Sequence, residues 1–493
     1  MQQHSSDILL STLVQEISDA NVIGATELFI TDIVLDSRKA SAGTLFVAVR
    51  GTQVDGHLFI DKAIELGARA ILCEELPVST RPEVTYIQVL DSAQAMGLLA
   101  SAFHGHPSRH MQLVGVTGTN GKTSVATLLF QTFRALGYRC GLVSTVQNQI
   151  EDEVIPSTHT TPDSVTLNRL LAQMQQQKCT HVFMEVSSHS VVQHRITGLT
   201  FGGGVFTNIT HDHLDFHKTF DNYIKAKKGF FDQLPREAFA LVNIDDRRGN
   251  VMVQNTAATI HTYSLQSMAT FKGKMLSETL HGMHIDFNGQ EVWFRLIGRF
   301  NAYNLLAVYG AAVLMSELPE EVLTALSNQQ SPPGRFEQVH SEHGVVGIID
   351  YAHTPDALLN VLETIKELRQ GSEQVITVVG CGGNRDAEKR PKMATIACQL
   401  SSRVILTSDN PRYEEPQVIL DQMLEGVPPI DFKKVKVLAD RREAIQQACL
   451  EARPGDIVLV AGKGHETYQE IKGIKYDFDD REVLSTALAT YVR

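Results

Sequence analysis

Paired cysteines, long apolar runs and an excess of positive charge are all missing from this chain, and each absence excludes a class of protein. The six cysteines, Cys73, Cys140, Cys179, Cys381, Cys398 and Cys449, are scattered with no Cys-x-x-Cys pair, which points to a reducing compartment. No apolar stretch approaches the roughly 18 residues of a membrane span, and the opening Met1-Gln-Gln-His-Ser-Ser has no charged and then apolar leader pattern. A soluble, cytoplasmic protein without a membrane partner is expected. The 56 acidic residues outnumber 44 basic ones, for a net charge of -12, so no nucleic-acid partner is expected and an anionic substrate must be met by local positive charge. Internal repeats and low-complexity tracts are also absent.

What is present is led by Gly115-Val-Thr-Gly-Thr-Asn-Gly-Lys-Thr-Ser124. Leu113, Val114 and Val116 before it read as a short buried strand. Val125, Leu128, Leu129, Phe133 and Leu136 after it recur at helical spacing. Strand, Gly-rich loop and helix in this order form a triphosphate cradle: backbone N–H groups turn toward phosphate oxygens, Lys122 reaches the terminal phosphates, and the Thr123 hydroxyl can ligate Mg²⁺. Five residues separate Gly115 from Gly121 where the common form has four, so the loop is a variant, Gly118-Thr-Asn-Gly-Lys-Thr123.

At 493 residues the chain exceeds one ordinary domain. His104-Gly-His-Pro-Ser-Arg109 breaks a helical pattern just before the loop's strand, and Ser331-Pro-Pro-Gly-Arg335 follows a helical stretch from Asn301 to Leu314. Three domains are expected, over 1–109, 110–334 and 335–493. The last two alternate short apolar runs with helical patterns, the mark of α/β sheets covered by helices. Polar, Gly-rich segments follow the runs: Glu185-Val-Ser-Ser-His189, Asn208-Ile-Thr-His-Asp-His213, Gly380-Cys-Gly-Gly-Asn-Arg385, Ser408-Asp-Asn-Pro-Arg412 and Gly462-Lys-Gly-His-Glu466. Open parallel sheets bind ligands at such strand ends.

Glu185 and His213 fall where they could hold a divalent metal beside the phosphate loop. His211-Asp-His-Leu-Asp-Phe-His217 also invites a zinc-hydrolase reading, but Phe216 stands where that motif wants histidine. Lys225, Lys227 and Lys228 crowd one helix, and composition assigns none of them a role. Arg385 on its Gly-rich loop and Arg412 behind Pro411 offer two guanidinium forks to a carboxylate or phosphate.

With Gly118–Thr123, Glu185-Val-Ser-Ser-His189, Asp212-His-Leu-Asp215, Asn301-Ala-Tyr-Asn-Leu305, Asp350-Tyr-Ala-His-Thr-Pro355, Asp409-Asn-Pro-Arg412 and Gly462-Lys-Gly-His-Glu466 in order, the chain resembles the Mur ligase family from about Val34 to Asp480. The resemblance implies three α/β domains: a small N-terminal one for the UDP-sugar, a central ATPase with a P-loop-type parallel sheet, and a Rossmann-like C-terminal one for an amino acid. It implies an ATP- and Mg²⁺-dependent amide ligase of peptidoglycan synthesis, here expected as a monomer, acting through an acyl phosphate. The implied partners are UDP-N-acetylmuramoyl-L-alanyl-D-glutamate and meso-2,6-diaminopimelate.

Carried over by the same resemblance, Gly118, Thr119, Asn120, Gly121, Lys122, Thr123 and Ser124 bind ATP, with Glu185 and His213 in the magnesium shell. Asn304 lies near the adenine, and Arg335 and Asp350 approach across a domain boundary. Leu35, Ser37, Thr52, Gln53 and Val54 hold the uridine nucleotide. His159, Thr160, Thr161, Ser187, Gln193 and Arg195 hold the muramoyl dipeptide, His159 departing from the family's usual Asn. Lys227 becomes a carbamate that bridges a second magnesium. Arg385, Asp409, Asn410, Pro411, Arg412, Gly462 and Glu466 form the amino-acid site, with Arg412 on the distal carboxylate that lysine lacks and Glu466 on the distal ammonium. A lysine-adding Mur ligase and a folylpolyglutamate-type ligase share the ATP core, a small-molecule kinase shares only the phosphate loop, and a zinc hydrolase is the remote alternative.

Overall fold

The computed structural model describes residues 7–51, 54–157, 159–369, 371 and 373–491. Its layout follows from three sheets, each made of short apolar strands that must be covered on both faces. The first has five strands in the order Asn21–Ile23, Thr85–Gln88, Ala70–Cys73, Thr44–Val47 and Asp32–Val34, parallel except for the first. The helix Ser92–Phe103 lays Ala95, Met96, Leu99 and Ala100 onto one face of it. Val165, from the helix Ser164–Gln176 over the next sheet, shares that core, and Ser101 Oγ donates to Gly198 O at 2.9 Å, tying the two sheets' layers together.

The central sheet has eleven strands. Its middle, Cys140–Val143, His181–Glu185, Gln112–Thr117, Gly203–Phe206, Phe239–Asn243 and Thr259–Ser264, is parallel. Helices Lys122–Ala135 and Arg299–Leu314 cover one face, and Ser164–Gln176 and Phe220–Asp232 the other. The expected parallel sheet is therefore extended at both ends by antiparallel hairpins: Gln147–Ile150 with Glu153–Pro156, and Phe271–Thr279 with Gly282–Phe287 and Gln290–Phe294. The physical reason lies in their pattern. Phe271, Gly273, Met283 and Ile285 turn inward while Lys272, Lys274 and Glu291 face water, which suits strands with one wet face.

The third sheet runs Glu337–His340, Val346–Asp350, Ile457–Ala461, Val375–Cys381, Arg403–Ser408 and Val435–Val437, with only the first strand antiparallel. Helices Pro355–Leu368 and Lys389–Leu400 pack on one face, Arg441–Glu451 and Asp480–Tyr491 on the other. Register pairs Cys381 with Ser408 and Val379 with Ala461, so three polar loops leave the sheet side by side. No helix among the described residues is long and apolar enough to cross a membrane.

Candidate active site at the strand ends

The phosphate loop joins the central strand Gln112–Thr117 to the helix Lys122–Ala135. Its conformation demands glycine: Gly121 caps the helix at φ 86°, and Gly118 at φ 155° lies against Thr207, leaving no room for a Cβ. The neighbouring strand end anchors it, with Thr119 N donating to Asn208 O at 2.8 Å and Asn120 N to Asn208 Oδ1 at 2.9 Å. Thr119 Oγ1 also sits 3.0 Å from Tyr223 Oη. Lys122 Nζ donates to Gly118 O and Thr119 O, and burial lowers its pKa against the opposing charges of Glu185 and Asp212. Asn304 packs on Gly121 from the helix Arg299–Leu314, and Ser124 is buried behind the loop.

Glu185, fully buried at the end of the next strand, accepts at Oε1 from Thr123 Oγ1 at 2.9 Å and Thr145 N at 2.7 Å. Its Oε2 is buried with no hydrogen-bond partner among the described residues. A carboxylate oxygen held in this way beside a threonine hydroxyl fits a cation. No group of three or more His, Cys, Asp or Glu side chains that could hold a metal ion occurs among the described residues. Mg²⁺ does not demand one, since it takes one or two carboxylates and completes its shell with phosphates and water. The third sheet's domain reaches the same point. Arg335 Nη2 donates to Thr123 Oγ1 at 3.0 Å, and Asn120 Nδ2 donates to Asp356 Oδ2 at 3.0 Å. Asp350, raised to about 6 by burial against the opposing pull of Arg335, accepts from Phe336 N at 2.7 Å.

Lys227, 1% exposed, points its Nζ at Gly118 O, 2.6 Å away, over the Tyr223 ring. Burial, reinforced by Lys122, pushes its pKa well below the ordinary lysine value. Lys225 is exposed and Lys228 pairs with Asp232. His213, in the left-handed region at φ 53°, keeps a side chain 44% exposed, yet desolvation in the cleft pushes it down to about 4 despite Asp212 Oδ2 at 3.3 Å. Its ring meets that of His189, while His217 Nε2 is 2.8 Å from Ser188 Oγ.

Next to Glu185, Thr161 Oγ1 donates to Glu185 O, and Ser187 caps the short helix Ser188–Val192. Arg195 Nη1 donates to Thr161 O at 2.7 Å, and its other nitrogens clasp Gln193 Oε1. Thr160 accepts from Thr145 Oγ1. His159 is near enough to Arg195 for that charge to add to desolvation in lowering its pKa. In the first domain Ser37 is buried, Leu35 is half-buried and Val54 is exposed. Thr52 and Gln53 lie outside the described residues.

The loops of the third sheet meet in a second cluster. Arg385 and Arg412 flank Gly382, where an added Cβ would fall 2.9 Å from Arg412 Nη1 and 3.9 Å from Arg385 Cγ. Arg412, at φ 53° behind buried Pro411, donates to Gly383 O at 2.9 Å and lies 3.5 Å from Glu470. Asp409 and Asn410 are buried, with Gly462 close against Asp409 Oδ2. Asn410 Nδ2 donates to Glu466 Oε2 at 2.7 Å. Sequence reasoning missed Asp356 and Lys463. Asp356 directly follows the Asp350–Pro355 segment, which is its local signal; Lys463 lies within Gly462–Glu466, and only its burial marks it.

Fold and site together define a ligase class, and the chain belongs to the Mur ligase family. It matches "Mur ligase family, catalytic domain" over residues 29–104, "Mur ligase middle domain" over 116–312 and "Mur ligase, glutamate ligase domain" over 334–464. The particular relatives are UDP-N-acetylmuramoyl-L-alanyl-D-glutamate--2,6-diaminopimelate ligases. The one from Cytophaga hutchinsonii is 59% identical over 98% of this chain and 99% of its own. That from Bacteroides thetaiotaomicron is 56% identical over 97% and 99%. A solved structure of a ligase of the same name superposes with a TM-score of 0.70 at 32% identity, covering 98% and 99%.

Proposed function

We infer that this chain is an ATP-dependent amide ligase that joins meso-2,6-diaminopimelate to UDP-N-acetylmuramoyl-L-alanyl-D-glutamate in the cytoplasm, a step of peptidoglycan synthesis. The observation that carries the reading is the meeting at Thr123 of the phosphate loop, the buried Glu185 and Arg335 from the following domain. Full-length relatives at 59% and 56% identity bear the corresponding name. In this reading residues 1–109 hold the uridine nucleotide around Leu35, Ser37 and Val54, 110–334 hold ATP, and 335–493 hold the amino acid.

A carboxylate is a poor electrophile because its leaving group would be oxide. A D-glutamyl carboxylate oxygen attacks the γ-phosphorus of ATP, ADP departs, and the acyl phosphate now has phosphate as its leaving group. The diaminopimelate amine attacks the acyl carbon, and the tetrahedral intermediate collapses to amide and phosphate. Thr161, Ser187, Gln193 and Arg195 orient the dipeptide. Lys122 and the loop N–H groups stabilise charge gathering on the phosphoryl oxygens. Thr123, Glu185 and His213 would hold Mg²⁺, which when bound offsets phosphate charge. Burial favours the neutral amine of Lys227, the form that adds to carbon dioxide and releases a proton, so a carbamate there would turn a buried neutral amine into an anionic ligand. Arg412 and Arg385 take the distal carboxylate and Glu466 the distal ammonium. The test is phosphate release from ATP with the UDP-muramoyl dipeptide. Release is expected with diaminopimelate and not with lysine or without amino acid; equal turnover of lysine overturns the specificity assigned.

A further inference from the structure

Lys463 is fully buried, yet nothing in the reaction above uses it. Its Nζ donates to Asn410 Oδ1 at 3.1 Å and to Glu466 Oε2 at 3.0 Å. Asn410 Oδ1 also accepts from Glu470 N at 2.9 Å, which fixes the amide with its nitrogen on Glu466 Oε2. That oxygen therefore takes two donors, while among the described residues Glu466 Oε1 has only Tyr351 Oη at 3.5 Å. Oε1 keeps its capacity for an incoming ammonium.

Ion pairs cancel charge within the cluster: Lys463 with Glu466 at 3.0 Å, Arg412 with Glu470 at 3.5 Å, and the fully buried Arg441 with Asp480 at 2.7 Å. A neutral pocket with separated donors and acceptors suits an amino-acid end that carries both an ammonium and a carboxylate. It disfavours the bare ammonium of lysine. Without Lys463 the same pocket would hold a net negative charge and favour a simple cation.

We propose that Lys463 is a specificity-determining positioning residue: by bridging Asn410 and Glu466 it aims Glu466 and cancels its charge, so that the pocket selects a zwitterionic end over a lone ammonium. This rests on the amino-acid site proposed above.

The test compares diaminopimelate, 2-aminopimelate, which keeps the distal carboxylate but lacks the distal amine, and lysine, in the full-length enzyme. The native protein is expected to retain more kcat/KM with 2-aminopimelate than with lysine, by on the order of tenfold. Lys463→Met is expected to raise the KM for diaminopimelate and to narrow the preference over lysine by about tenfold or more, with the KM values for ATP and the dipeptide nearly unchanged. Lys463→Gln, which restores a neutral donor, should recover part of the diaminopimelate KM but not the preference. An unchanged preference in folded Lys463→Met overturns the proposal, and so does an unchanged preference in Lys463→Gln if the methionine variant does not fold; native turnover of lysine above that of 2-aminopimelate overturns it as well. If native protein does not use diaminopimelate at all, the site assignment itself fails instead.

Discussion

Glu185→Gln separates a structural carboxylate from a metal-binding one. The native side chain is fully buried, with Oε1 accepting from Thr123 Oγ1 and Thr145 N and Oε2 accepting from none of the described residues. Glutamine keeps Oε1 as acceptor for both donors, so each bond weakens from charge-assisted to neutral, a loss of about 1 kcal/mol apiece. An amide nitrogen left without an acceptor would add roughly 1–3 kcal/mol, but removing an incompletely compensated buried charge opposes these losses. Folding stability without ligand should therefore change by no more than about 2 kcal/mol. Ligation is another matter. Loss of the free carboxylate oxygen should raise the Mg²⁺ concentration for half-maximal rate by about 10–100-fold and lower kcat by about 10²–10³. The substitution also removes the largest charge opposing the burial that lowers the Lys122 pKa, which weakens phosphate binding further. Thermal unfolding and Mg²⁺ titration of the ligase rate read the two effects apart. A variant with near-native kcat and an unchanged Mg²⁺ requirement would rule out Glu185 as a metal ligand.

Other perturbations test neighbouring parts of the site. Lys227→Ala should lower ligase activity by about 10–100-fold or more, with partial recovery on adding carbonate or small carboxylates; near-normal turnover of the unsupplemented variant contradicts the carbamate assignment. Arg412→Ala should lower diaminopimelate kcat/KM by on the order of 10²–10⁴ while the KM for ATP stays nearly unchanged, as measured by steady-state kinetics. Asp350→Asn should act on stability with a definite sign. Burial raises this carboxyl from 3.8 to about 6, so its favourable contribution is present below pH 3.8 and lost as pH rises through 6. The asparagine variant should be more stable than native at pH 8 by up to about 3 kcal/mol, with the difference vanishing near pH 4 in denaturant titrations.

Chemistry confined to one segment was legible in the sequence. Gly118, Gly121, Lys122 and Thr123 stand together, and their loop folds as the spacing requires because glycine is the residue its dihedrals and close contacts permit. Glu185 could be placed because an apolar run delivers it to a strand end next to that loop. Pairings across long separations were not legible. Asn120 meets Asp356 through a contact between domains 236 positions apart in sequence, and nothing local in either segment encodes it. Lys463 reads as an ordinary cation until its burial and its bonds to Asn410 and Glu466 are known. The antiparallel extensions of the central sheet escaped for another reason: strands with one wet face, such as Phe271–Thr279, lack the continuous apolar runs that mark the parallel strands.

If strand ends from two domains converge on a single phosphoryl group passed to the dipeptide's carboxylate, oxygen-18 in the reacting D-glutamyl carboxylate must follow that group. Each amide formed is expected to deliver one labelled oxygen to the released phosphate, with ADP unlabelled. Unlabelled phosphate alongside normal amide formation would contradict it.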